Sequence, residues 1–177
     1  MKLKIARHHY DQRQDHGNRF KLLKPIQSFP GIRYNDLIRL TGLNKGTLSH
    51  HLTILEKDSI IRILRPKNSN MTRYFTASIS NEEAIIIGFL KIKTTSHIIC
   101  LLKDNKQLTF LEIVRYTRKS LSTTSWNLKR LLEAGIVIRY KSSNASNYCL
   151  KHPEMIIKLK NKSNKMYLTD LLTTILI

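Results

Sequence analysis

Acidic residues are scarce in this chain: 12 Asp and Glu stand against 31 Lys and Arg, a formal net charge of +19 over 177 residues. Few carboxylates are left to serve as a general base. Cysteine is scarcer still. Cys100 and Cys149 are too few and too badly placed for a disulfide framework or a zinc site. Cys100, inside the run Ile98-Ile99-Cys100-Leu101-Leu102, is expected to be a buried, reduced thiol. The six glycines form neither a dinucleotide fingerprint nor a phosphate loop, and no HExxH or GxSxG spacing occurs. No catalytic residue, metal ligand or cofactor is therefore expected. Long apolar runs are also missing: Ala84–Leu90 falls far short of the roughly 20 residues that span a bilayer. The N-terminal stretch Met1–Phe20 is polar and has no apolar core of the kind a signal peptide carries. A soluble cytoplasmic protein, nucleoid-associated and without membrane contact, is the expectation.

What is present in excess is positive charge, and it is not confined to one tail. Lys plus Arg minus Asp plus Glu is 15 − 5 = +10 for residues 1–80 and 16 − 7 = +9 for residues 81–177. Basic surface attracts phosphates and gains free energy from the counterions it releases, which points to a polyanionic partner. The apolar share of 41% is ordinary for a folded globular protein.

The stretch Leu43-Asn44-Lys45-Gly46-Thr47-Leu48-Ser49-His50-His51-Leu52-Thr53-Ile54-Leu55 reads as the second helix of a helix-turn-helix. Leu48, Leu52 and Leu55 recur at i, i+4 and i+7 and give one apolar stripe. Asn44 is the expected N-cap of a helix running Lys45–Asp58. Tyr34–Thr41 precedes it as a short helix, closed by Gly42 where positive φ is cheap. The chain then repeats itself: Tyr34–Arg62 lies without a gap over Phe110–Ile138, since 110 − 34 = 76. Ser120 stands in for Asn44, and Leu128 and Leu131 for Leu52 and Leu55.

Around these helices, Ile60–Pro66 and Met71–Ala77 are rich in β-formers and flank a turn, as do Ile136–Lys141 and Asn147–Leu150, so two hairpins are predicted. Asn18 is the expected cap of a helix Arg19–Ser28 that kinks or ends early at Pro25. Ser80-Asn81-Glu82-Glu83 and Thr109-Phe110-Leu111-Glu112 are capping boxes, the first opening a helix to about Lys91. A helix Ser96–Lys103 follows, and Pro153 opens another to about Lys160. The expected architecture is mostly α with small β-hairpin wings, an α+β fold. It comprises two tandem winged helix-turn-helix domains, residues 1–79 and 80–152, and a C-terminal helical segment, 153–177. Met166–Ile177 carries Leu168, Leu171, Leu172, Ile175 and Leu176 on one helical face, and a homodimer through that face is one way to bury it.

Pro30–Arg62 resembles the winged helix-turn-helix regulators of the ArsR and MarR type. Thr47-Leu48-Ser49-His50-His51-Leu52 looks like the recognition helix of the ArsR group, and Pro30-Gly31-Ile32 with Leu37 and Gly42-Leu43 resembles archaeal regulators, several of which carry two such domains in tandem. The resemblance implies a sequence-specific double-stranded DNA-binding transcriptional regulator, not an enzyme. The helix from Lys45 would lie in the major groove, with Asn44, Lys45, Thr47, Ser49, His50 and His51 as contact candidates and promoter or operator DNA as partner. Arg65, Lys67, Asn68 and Arg73 would belong to the wing.

Departures from the pattern qualify what carries over. Asp36–Leu43 has no cysteine, so the metal sensing of the ArsR group is not implied. In the second copy Leu121 replaces Lys45, Ser122 replaces Gly46 and Trp126 replaces His50. Ser122, Thr123, Ser125, Asn127, Lys129 and Arg130 keep that copy polar and basic; it either contacts DNA in its own way or serves as a dimerisation or docking module. Trp126 is read equally as a packed side chain and as an exposed contact. The alternative for the whole chain is a winged-helix docking or architectural module without sequence-specific regulation. Duplex RNA is disfavoured, because a helix cannot enter its deep, narrow major groove.

Overall fold

A computed structural model describes residues 17–65, 71–142 and 145–159. The wing candidates Lys67 and Asn68 and the terminal segment Met166–Ile177 lie outside these residues. The chain divides into two compact units, Met1–Ala84 and Ile85–Ile177. Both are mostly helical with a small antiparallel sheet, an α+β arrangement.

In the first unit, residues 17–28 form helix α1. It runs through Pro25 rather than ending there, and because residues 17 and 18 are already helical, Asn18 is not its cap. Leu22 and Ile26, one turn apart on one face, are fully buried. A turn at Phe29–Gly31 leads to β1 (Ile32–Arg33), then α2 (Tyr34–Thr41) and α3 (Lys45–Lys57). Gly42 closes α2 in the left-handed region at φ 66°, and the Asn44 side chain accepts from the Thr47 amide at 2.8 Å to start α3. The apolar stripe Leu48, Leu52 and Leu55 is buried against Leu22, Ile26 and Leu37. Burying each such leucine is worth roughly 1.5–3 kcal/mol, which outweighs the modest helix propensity of the Gly, Thr, Ser and His residues between them.

The hairpin follows as β2 (Ile61–Leu64) and β3 (Arg73–Thr76), with β3 in the middle of a sheet ordered β1–β3–β2. Its register pairs Ile32 with Tyr74 on one side and Ile61 with Thr76 on the other. Ser80 and Glu83 exchange the two capping-box bonds, at 2.9 and 3.1 Å, and open α4 (Asn81–Leu90).

The division between units falls within α4, not before Ser80. The second unit continues with α5 (Lys93–Asn105), β4 (Gln107–Thr109), α6 (Phe110–Thr117), α7 (Leu121–Glu133), β5 (Val137–Ser142) and β6 (Ala145–Leu150). Residues 153–159 form α8. Adding 76 to the bounds of α2 and α3 (34 to 110, 41 to 117, 45 to 121, 57 to 133) gives those of α6 and α7. The sheet order β4–β6–β5 matches as well, with Leu108 opposite Tyr148 as Ile32 is opposite Tyr74. Helix α5 begins three residues before the expected Ser96, and the buried Thr95 hydroxyl in its first turn donates to the Phe89 carbonyl at 2.6 Å. Cys100 is half-buried, not buried. Ile156 and Leu159 join the second unit's core, so the described part of the expected C-terminal segment belongs to that unit. Among the described residues, no single helix is long and apolar enough to cross a membrane.

Candidate nucleic-acid interface

Helix α3 turns Leu48, Leu52 and Leu55 inward and leaves Lys45, Gly46, Ser49, His50 and Thr53 exposed on its other side, with Thr47 half-buried between. No acid lies within the first turn. His51 is buried at 3% exposure, with its ring edge-on to His50 at 5.4 Å. It therefore serves packing rather than the outer face. Asn44 is committed to the cap. An α-helix N-terminus presents unpaired amides and positive dipole charge, the natural setting for a phosphate alongside groove-facing side chains.

Tyr34, the first residue of α2, reaches across to this helix. Its hydroxyl lies 3.0 Å from the Lys45 carbonyl and 2.8 Å from the Ser49 Oγ. Sequence reasoning missed it. The one trace in the sequence is its replacement by Phe110 in the second copy, which keeps the ring and drops the hydroxyl.

The wing candidates separate sharply. Arg65 donates two hydrogen bonds to the Glu56 carboxylate, at 2.6 and 2.7 Å, clasping the end of β2 to the last turn of α3. The hydrogen bond from Arg65, helped by its charge, holds the Glu56 carboxyl below its usual range, and the same pairing pushes Arg65 upward. Arg73 departs from expectation. It is 4% exposed and donates to the Gly31 carbonyl at 2.9 Å, tying the central strand to the turn before β1. Burial, with Arg33 nearby, lowers its pKa while Asp36 opposes. The cause is register: Arg73 stands opposite both Arg33 and Leu64 on the middle strand.

In the second unit, Ser120 accepts from the Thr123 amide at 3.2 Å and starts α7. Leu121, Ser122, Thr123, Ser125, Trp126 and Lys129 are exposed. Asn127, a contact candidate from the sequence, is buried at 4% and donates to the Thr123 carbonyl at 2.8 Å, so it does not face outward. It stands where His51 stands in the first unit, since 51 + 76 = 127. Trp126 is 57% exposed, which resolves its even reading toward the surface. The half-buried Arg130 guanidinium lies 4.5 Å from the Trp126 ring centroid and 5.2 Å from that of Phe89. Lys129 pairs loosely with Glu133 at 3.9 Å. Among the described residues, no group of three or more His, Cys, Asp or Glu is placed to hold a metal ion.

Residues 93–139 match the family "Bacterial regulatory protein, arsR family". The match runs from the start of α5 into β5, so it falls on the second unit, whereas the phrase that carries the resemblance in the sequence lies in the first. Residues 93–139 of the second unit are thus similar to the helix-turn-helix of that family. No curated protein matches the chain. Among solved structures, HlyU from Vibrio cholerae is 22% identical over 47% of this chain and 89% of its own, with a TM-score of 0.41. The transcriptional repressor BigR from Xylella fastidiosa is 21% identical over 46% and 82%, with a TM-score of 0.41. A homodimeric winged helix-turn-helix DNA-binding domain from Mycobacterium bovis is 18% identical over 55% and 83%, with a TM-score of 0.39.

Proposed function

We propose that this chain is a sequence-specific, double-stranded DNA-binding transcriptional regulator built from two winged helix-turn-helix domains in tandem. The observation that carries the reading is the outer face of α3. Lys45, Gly46, Ser49, His50 and Thr53 form an exposed, acid-free polar surface on a helix held rigidly by a fully buried leucine stripe. Such a helix fits the major groove, where side chains near its N-terminus meet base edges. Lys45 and the net charge of +19 supply salt-dependent attraction to phosphate. Arg65, clasped to Glu56 beside that helix, would meet phosphate next to the groove through the donors that the clasp leaves free. The arsR match on the second unit supports the regulatory reading. Two reading units in one chain, or in a homodimer through Met166–Ile177, would raise the effective concentration for a second contact and favour repeated or palindromic sites.

One observation favours a second reading for the second unit alone. Leu121 and Trp126, each 57% exposed, replace the polar Lys45 and His50 and suit a protein contact. The test is selection of bound duplexes from a random DNA library. Enrichment of one motif supports a sequence-specific regulator, and its symmetry reports how many units read DNA. Binding without enrichment refutes base readout and leaves an architectural or docking role.

A further inference from the structure

The contact between Tyr34 and α3 has a defined proton polarity. The Tyr34 hydroxyl owns one hydrogen, and it sits 3.0 Å from the Lys45 carbonyl, a group that can only accept. Tyr34 therefore donates there. The 2.8 Å contact between Tyr34 Oη and Ser49 Oγ admits either hydroxyl as donor, and both contacts are hydrogen bonds at once only when Ser49 donates. The single Ser49 hydroxyl hydrogen is thereby used inside the unit, and the exposed side of this oxygen offers lone pairs only.

A serine in the major groove is ordinarily indifferent, since its hydroxyl rotates to give or take a hydrogen bond. Here it is not. We infer that Tyr34 fixes Ser49 as an acceptor, so that this position of α3 selects a base presenting an exocyclic amino group: adenine over guanine, or cytosine over thymine. The inference rests on the reading of α3 as a major-groove helix. Tyr34 touches no base in this account; it is a positioning residue acting through Ser49. The second unit makes the contrast, because Phe110 and Ser125 stand at the corresponding positions (34 + 76 = 110, 49 + 76 = 125) and Phe110 has no hydroxyl to take the serine's proton. Ser125 thus lacks the tether that makes Ser49 discriminating.

The experiment is selection from a random duplex library with the full chain, Tyr34→Phe and Ser49→Ala in parallel, each checked for native helix content. In the wild-type motif one position should prefer adenine or cytosine. Tyr34→Phe should relax that preference by about 3- to 10-fold, the worth of one hydrogen bond, and leave the other positions unchanged. Ser49→Ala should relax the same position. A duplex in which that base is replaced by purine or 2-pyrimidinone, which lack the amino group, should bind the wild type more weakly and Ser49→Ala equally well. A Tyr34→Phe motif identical to wild type overturns the inference, as does a uniform loss at every position, which a merely structural tether would produce. A wild-type library with no enriched motif would instead remove the reading beneath it, and the inference with it.

Discussion

Two left-handed backbone positions recur in each unit, and each unit spends its glycine on a different one. Gly42 follows α2 at φ 66° and Gly135 follows α7 at φ 66°, while the matching positions hold Arg118 at φ 52° and Ser59 at φ 56°. The correspondence is the 76-residue offset again: 42 + 76 = 118 and 59 + 76 = 135. A non-glycine residue pays about 1–2 kcal/mol in this region, whereas glycine loses about 0.5–1 kcal/mol more chain entropy on folding. Arg118→Gly should therefore stabilise the second unit by roughly 0.5–1 kcal/mol, raising its Tm by about 3–5 °C for a unit of this size. Arg118→Ala, which removes the side chain without relieving the backbone, should stay within about 0.5 kcal/mol of wild type. Gly42→Ala should cost about 1 kcal/mol, and because an added Cβ there meets nothing within 4 Å, that cost is conformational rather than steric. Calorimetry or circular dichroism melting reads all three. A lowered Tm for Arg118→Gly, or an unchanged one for Gly42→Ala, would refute the conformational argument.

Thr124 sits in the place of Leu48, fully buried, with no hydrogen-bond partner for its hydroxyl; Thr124→Val should raise stability by about 1–2 kcal/mol in urea denaturation, and a loss would show that the hydroxyl has a role the contacts do not reveal. The Glu56 carboxyl is held low by Arg65, so its contribution is present above the unfolded value, about 4.3, and disappears as pH falls through the folded one. Unfolding midpoints of Glu56→Gln between pH 3 and 6 should lack this acid-side decline, a half-exposed pair setting its size at no more than about 1 kcal/mol; parallel curves for the two proteins would sink the assignment. Ser49→Ala combined with His50→Ala should weaken binding to a selected motif by about 10-fold or more and leave random duplexes nearly unaffected, whereas equal losses in a competition titration would argue against base readout.

Much of the fold was legible because its signals are local. Gly42, Asn44 and the i, i+4, i+7 leucines set both ends of α2 and the start of α3, which ends at Lys57, one residue before the expected Asp58, and both capping boxes sit where Ser80 and Thr109 announce them. The strands Ile32–Arg33 and Gln107–Thr109 were not legible, since two or three residues carry no alternation and exist only through pairing with a strand about 40 residues away. The outer face of α3 follows from helical period, which also leans His51 toward the core beside Leu48 and Leu55, but the inward turns of Asn127 and Arg73 were not read. A polar side chain reads as exposed until its register is known, and each of these three lies on the inward side of its element. Tyr34 was invisible for a related reason: its partner is 15 residues away across a turn, and only the three-dimensional crossing of α2 and α3 brings the hydroxyl to Ser49.

The chain has one tryptophan, and it lies half in solvent on the outer side of α7, with Arg130 stacked against it. It is a built-in fluorophore confined to the second unit. Its emission would change on adding duplex if α7 enters a groove and stay constant if only α3 engages, so unlabelled protein in a cuvette can report which half of the molecule has met its partner.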